Sequence, residues 1–224
     1  MKRMLACLCF AAFCTCACET SFANDEVFIF KDFSYGTTKE ELRKKTKAPD
    51  CGKSTDGYDV LCLKNYDFLG YKWTTYFAFE NNKLVLISLV GSADYNKTVA
   101  VIRSLSETFA LVSMQSVSDN FDFVATAKAR GISVASDALN KFEQLATLQG
   151  KVTYIFLEGE SIKNMLYTSA NLTEIMQEAP ISLREIDLSI SPGINEARMA
   201  IRFVVPIKVQ HDAIKNSPDV KEKF

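Results

Sequence analysis

Alternation of apolar and polar residues is strongest between residues 58 and 91. The segment 71–79 has Trp73 and Phe77 on one face, and Lys72, Thr74 and Tyr76 on the other. A period of two predicts a half-buried strand. The Asn81-Asn82 pair predicts a tight turn to the next strand. Strand-like runs at 58–63, 66–80 and 83–91 therefore predict an antiparallel meander.

A helical period flanks this meander on both sides. Capping-box spacing at Thr37 and Glu40, or at Thr38 and Glu41, predicts the start of a short helix after a first strand at 27–33. Apolar residues at intervals of three and four predict a helix over 94–113 and another over 136–149. Further along, the patterns predict a helix at 122–130, strands at 152–158 and 162–169, and a short helix at 172–178.

The last strong pattern is a hairpin around residues 191–193. Apolar residues alternate on both sides of this Ser-Pro-Gly turn. Glu185 and Asp187 share the opposite face with Arg198 and Arg202, which predicts charge pairs across the two strands.

These elements predict an α+β protein whose antiparallel sheets carry helices on one face. We expect two consecutive small α/β layers, because the polar stretch 116–120 is the clearest boundary in the chain. The predicted domains are 24–115, with the order strand, helix, meander and helix, and 116–224, with a frayed tail from about residue 211.

The first 23 residues have the pattern of a signal peptide. Lys2 and Arg3 precede an apolar run, and Ser21-Phe22-Ala23 places small residues before the cleavage position. The run is too short to cross a bilayer, which needs about 20 apolar residues, and no later run is long enough for an integral span. We expect export to the periplasm or outside the cell. The alternative is lipidation at Cys18, which would anchor the chain to a membrane.

Five of the seven cysteines lie within this leader, which leaves Cys51 and Cys62. In an oxidising compartment two such residues predict one disulfide, and two free thiols are the alternative. Without Lys2, Arg3 and Glu19, the 26 basic and 27 acidic residues become 24 and 26. This balance argues against nucleic acid as a partner.

The segment 32–42, with the sequence DFSYGTTKEEL, resembles the opening of a bacterial envelope module. It is similar to the superfamily of the small outer-membrane assembly lipoprotein and the secreted β-lactamase-inhibitor proteins. The resemblance covers residues 27–91. It implies protein binding without catalysis, through an open sheet face.

Motifs for common catalytic chemistry are missing from the sequence. The single histidine, His211, lies in the polar tail, and no nucleophile elbow is present. If the disulfide forms, the chain lacks ligands for a metal site of His and Cys, and we expect no cofactor. For the carboxylate pairs Glu158 with Glu160 and Asp119 with Asp122 we expect turn or capping roles, and acid-base work is the alternative.

The aromatic strand gives the binding hypothesis. Trp73 and Phe77 would face the core, whereas Lys72, Thr74 and Tyr76 would be exposed, and tyrosine is favoured at protein interfaces. We therefore predict a non-catalytic envelope protein that binds another protein through these three residues. The alternatives are a carboxylate-dependent hydrolase, with a deep pocket that joins acidic residues of shifted pKa, and a purely structural envelope component.

Overall fold

The structure is a computed structural model that describes residues 26–193 and 196–216. The predicted leader at 1–23 and the lipidation site Cys18 therefore lie outside the described residues. The strands pair antiparallel in a large sheet and the helices are grouped between runs of strands, so the α+β class is confirmed. None of the helices in the described ranges is long and apolar enough to span a bilayer.

The chain begins with a small hairpin and a capped helix. Strands β1 (Phe28–Phe30) and β2 (Phe33–Ser34) pair with each other and lead into α1 (Lys39–Thr46). The Thr38 side chain accepts from the backbone N–H of Glu41, whose carboxylate accepts from the backbone N–H of Thr38. The second of the two predicted capping boxes is therefore the one that forms.

One antiparallel sheet contains the other nine strands, in the order β3-β4-β5-β6-β11-β10-β9-β7-β8. Their bounds are Asp50–Lys53 (β3), Asp59–Phe68 (β4), Tyr71–Glu80 (β5), Lys83–Ser92 (β6), Phe109–Gln115 (β7), Asn120–Asp122 (β8), Val152–Glu158 (β9), Glu185–Ser191 (β10) and Arg198–Val204 (β11). The predicted meander is the β4-β5-β6 unit, and the predicted last hairpin is β10-β11.

Within the described ranges, seven further helices connect or cover these strands. They are Tyr95–Ser106 (α2), Phe123–Arg130 (α3), Ile132–Leu148 (α4), Gly159–Ile162 (α5), Met165–Thr168 (α6), Leu172–Glu178 (α7) and Pro206–Asn216 (α8). Helix α8 thus occupies residues 211–216, where the sequence predicted a frayed tail.

Helices pack on both faces of the second half of the sheet. On β9, Tyr154 and Phe156 belong to one core, which also contains Ala146 of α4. The alternate residue Leu157 belongs to a second core with Ile175 of α7. The sequence predicted helices on one face of each sheet. In the structure only the first half leaves one face without a helix layer, whereas the second half has helices on both faces.

The two predicted layers share a single sheet. Strand β6 pairs with β11 from the Arg198–Ser92 pair to the Val204–Leu86 pair. Strand β7 was predicted as part of a first-half helix, but it pairs with β9 in the second half. Along the chain, the boundary between the two halves therefore lies near α2, before the polar stretch at 116–120.

Two secondary-structure predictions are wrong. The helix predicted over 94–113 ends at Ser106, because Phe109 and the residues after it pair as β7. The strand predicted over 162–169 is replaced by the short helices α5 and α6. Its apolar residue Ile162 is fully buried in the second core rather than in a strand ladder.

Candidate functional site

The uncovered sheet face carries a row of side chains that crosses five strands. Tyr76 of β5 is paired with Cys62 of β4 and with Ser88 of β6. Ser88 is paired with Arg202 of β11, and Arg202 with Asp187 of β10. Directly paired residues of antiparallel strands have their side chains on the same face. The five residues therefore form one continuous row.

The neighbouring row is mainly aliphatic. Ala78 is paired with Leu86, Leu86 with Val204, and Val204 with Glu185. On its other side Glu185 is paired with Leu157 of β9. Glu185 is thus the one carboxyl in a row of apolar neighbours.

Two adjoining cavities of about 370 Å³ and about 380 Å³ lie over these rows. Tyr58, Leu86 and Arg202 line both of them. We call this surface the open-face groove. Its floor is formed by the two rows, and its walls are the loop after β3 on one side and α8 on the other.

The disulfide shapes the first wall. Cys51 and Cys62 are joined, and their Cα atoms lie 5.9 Å apart, within the usual range for this bond. Asp56 and Tyr58, which lie between the two cysteines in sequence, line the first cavity. The bond therefore ties this loop to the β4 strand that forms the edge of the floor.

Helix α8 forms the second wall. Val209, Gln210 and Ala213 line the cavity over Glu185 and Asp187. The helix is held from its other side by Tyr35, whose hydroxyl donates to Asp212 at 3.0 Å. The sequence predicted a frayed tail from about residue 211, and in the structure that part of α8 contributes Ala213 to the wall.

Charge in the groove is concentrated at β10 and β11. Arg202 Nη1 lies 3.7 Å from Asp187 Oδ2, and the Arg202 side chain is half exposed. This pair confirms the predicted charge pairing for Asp187. Glu185 is not paired with an arginine, because Val204 stands opposite it and Arg198 stands opposite Ser191.

The carboxyl of Glu185 is strongly perturbed by this position. Burial is the main cause that raises its pKa, to about 7, and the neighbouring Asp187 raises it further, while Arg202 acts in the opposite direction. Burial also raises the pKa of Asp187, against the effects of Arg202 and Lys151. Shifted carboxyl pKa values in a cavity are a common property of functional sites.

The three predicted binding residues lie on the uncovered face of β5. Lys72 and Thr74 lie beyond the cavities, where Lys72 pairs with the exposed Asp67 at 2.7 Å. Tyr76 is half-buried and lines the first cavity. The predicted face is thus correct, and the binding role of the three residues stays a prediction.

Three of the four other carboxylates selected from the sequence accept hydrogen bonds within the fold, and Asp119 accepts from Asn120 N at 2.8 Å. Asp122 caps α3 by accepting from Ala125 N at 2.8 Å, and it also accepts from Leu172 N. Glu158 accepts from Arg184 and from Ser161. Sequence reasoning identified Glu185 and Asp187 as strand residues but not as part of a cavity. The alternation of these two carboxylates with the apolar Ile186 was the sequence signal that both lie on the same face of the strand.

Comparison with known proteins gives little beyond this geometry. No protein-family model matches the chain, and no solved structure matches it. A Saccharomyces cerevisiae protein named "Putative meiotic phospholipase SPO1" is 23% identical over 154 residues. The match covers 67% of this chain and 22% of the yeast protein. The chain is therefore similar to about a fifth of that protein.

Proposed function

We propose that the chain is an exported envelope protein that binds another protein, without catalysis, through the open-face groove. The observation that carries this proposal is the uncovered floor of the groove, where a row of polar and aromatic side chains crosses five paired strands. An antiparallel sheet can keep one face in contact with solvent, and this face is then accessible to a partner.

The residue types of the groove support a protein partner. Tyr58 and Tyr76 present aromatic rings beside the aliphatic Leu86, and Arg202 is half exposed at the junction of the cavities. Tyrosine and arginine are enriched among the residues that contribute most binding energy at protein interfaces. A loop or edge of a partner that entered the groove could contact all four side chains.

Export is supported by the sequence pattern of residues 1–23 and by the paired cysteines. Disulfides persist in oxidising compartments and are rare in the cytosol of most organisms. Cleavage after Ala23 would release the chain into the periplasm or outside the cell. Lipidation at Cys18 is the alternative, and it would place the same groove beside a membrane.

The test is a pull-down from envelope extract with residues 24–224 as bait. One variant bait carries Tyr58→Ala and Tyr76→Ala, two residues that line the first cavity, and a matched bait carries Tyr95→Ala and Tyr167→Ala at exposed positions outside the groove. We expect a protein that the wild type and the matched bait capture and the groove variant loses. Equal capture by all three baits would contradict the proposal.

Carboxylate-dependent hydrolysis is a second candidate. The cavity that contains Glu185 and Asp187 favours it, as does the partial similarity to a protein named as a phospholipase. A carboxyl with a pKa near 7 can act as a general acid or base at neutral pH. Hydrolysis of 4-nitrophenyl esters that disappears in Glu185→Gln would favour this candidate over binding alone.

A further inference from the structure

Glu185 and Asp187 form an unequal pair at the α8 end of the groove. They are separated by one residue of β10, so both side chains lie on the groove face. Asp187 stands directly opposite Arg202, whereas Glu185 stands between Val204 and Leu157. The guanidinium of Arg202 is therefore close to two carboxyls, but it is directly paired only with that of Asp187.

The other elements around this cavity bring no second cation. The remaining ionisable groups that line it are Glu80 of β5 and Tyr58 of the disulfide loop. Helix α8 contributes Val209, Gln210 and Ala213, none of which carries a charge. Beyond the lining, Lys151 acts on Asp187 from a distance. Among the described residues, Arg202 is therefore the one cation in the lining.

Desolvation is the main influence on the pKa of Glu185 in this arrangement. Its aliphatic neighbours remove water without replacing it by a positive charge, and burial is the main cause that brings its pKa to about 7. Further removal of water costs more for a carboxylate than for a carboxylic acid. Any uncharged surface that covers the cavity therefore binds best when Glu185 carries its proton.

We infer that the open-face groove is a pH-responsive interaction surface, which receives an uncharged apolar segment of a partner and binds it more tightly when Glu185 is protonated. The inference rests on the proposed function of the groove and specifies the partner surface and its regulation. The aliphatic residues Leu86, Val204 and Val209, which line the same cavity as Glu185, are complementary to such a segment.

The size of the effect follows from the fraction of molecules that carry the proton. With a midpoint near pH 7, about 91% of the molecules have protonated Glu185 at pH 6 and about 9% at pH 8. If the covering surface binds only the protonated form, its apparent Kd increases about tenfold between these two pH values.

Nile red is a suitable probe because it is apolar and uncharged throughout this pH range. We would titrate the dye into residues 24–224 at pH 6 and pH 8 and follow its fluorescence. We expect the apparent Kd to be about tenfold lower at pH 6. In Glu185→Gln we expect one Kd at both pH values, close to the wild-type value at pH 6.

Leu86→Asp provides the control for location, because it places a charge on the groove floor. It should abolish dye binding, whereas Glu107→Gln, at an exposed position outside the groove, should leave the pH response unchanged. The inference is overturned if the wild type binds the dye equally at both pH values or more tightly at pH 8. It is also overturned if the pH response survives in Glu185→Gln, or if Leu86→Asp does not affect binding. Absence of dye binding would overturn it as well.

The dye experiment and the pull-down have separate outcomes. An empty pull-down with a dye response of about tenfold would contradict the protein-binding function and retain the pH response of the groove. Capture that depends on Tyr76, combined with a dye affinity independent of pH, would retain the function and overturn the inference.

Discussion

Replacing Glu185 by glutamine should stabilise the protein at alkaline pH. Folding raises the pKa of this carboxyl from its ordinary value of 4.5 to about 7, so the folded state holds the proton more strongly than the unfolded state. Stability from this group is therefore fully present below pH 4.5 and is lost as the pH rises towards 7. Glutamine cannot ionise, and it has nearly the same shape and size as the protonated carboxyl.

The magnitude follows from the two pKa values. A difference of about 2.5 pH units, at 1.36 kcal/mol for each unit, amounts to about 3 kcal/mol above pH 8. At pH 5 the same relation gives about 1 kcal/mol. For a chain of this size, about 3 kcal/mol corresponds to an increase in Tm of roughly 6 to 12 °C.

Urea unfolding followed by the fluorescence of Trp73 measures this effect directly, since Trp73 is the single tryptophan and is buried. We expect the unfolding free energy of Glu185→Gln to exceed that of the wild type by about 3 kcal/mol at pH 8 and by about 1 kcal/mol at pH 5. The exposed control Glu107→Gln should differ from the wild type by less than about 0.5 kcal/mol. A gain that is equal at both pH values, or a loss at pH 8, would refute the reasoning.

Two further perturbations test other parts of the fold. Replacing Cys51 and Cys62 by serine should lower the unfolding free energy by about 3 kcal/mol, and intact mass after alkylation without reductant should reveal no thiols in the wild type. Gly91→Ala would place its Cβ 2.7 Å from Nζ of buried Lys97 and 3.3 Å from the ring of Trp73. We expect a cost of about 1 to 3 kcal/mol in urea unfolding, and a smaller cost in a Lys97→Ala background.

The sequence predicted the strands whose apolar residues alternate without interruption. The β4-β5-β6 meander and the β10-β11 hairpin were found in this way, because each has one buried face and one face in contact with solvent. The face assignment was correct for Tyr76 and for the Asp187–Arg202 pair. Period and turn residues are local properties, so a single sequence reveals them.

Prediction failed where a short apolar run suits two structures. The spacing from Leu105 to Phe109 continues a helical stripe, and no glycine or proline separates α2 from β7. Residues Phe109–Gln115 form a strand because they pair with β9. The paired residues are more than 35 positions apart in sequence. Tertiary pairing overrides local preference in such segments.

The groove was not predictable because it depends on the order of the strands. Glu185 is perturbed since β10 lies between β9 and β11, which places Leu157 and Val204 beside it. The sequence indicates neither this order nor the joining of β6 to β11. It also did not indicate that α8 forms a wall of the groove.

Photo-crosslinking from the groove tests the central claim most directly. Tyr76 is replaced by the photoreactive amino acid p-benzoylphenylalanine, and Tyr167, which is 78% exposed and lies outside the groove, is replaced in a matched variant. After irradiation of intact cells, the account predicts a discrete protein adduct from position 76 and none from position 167. Adducts from position 167 alone, or from neither position, would contradict the claim that the open-face groove binds a protein.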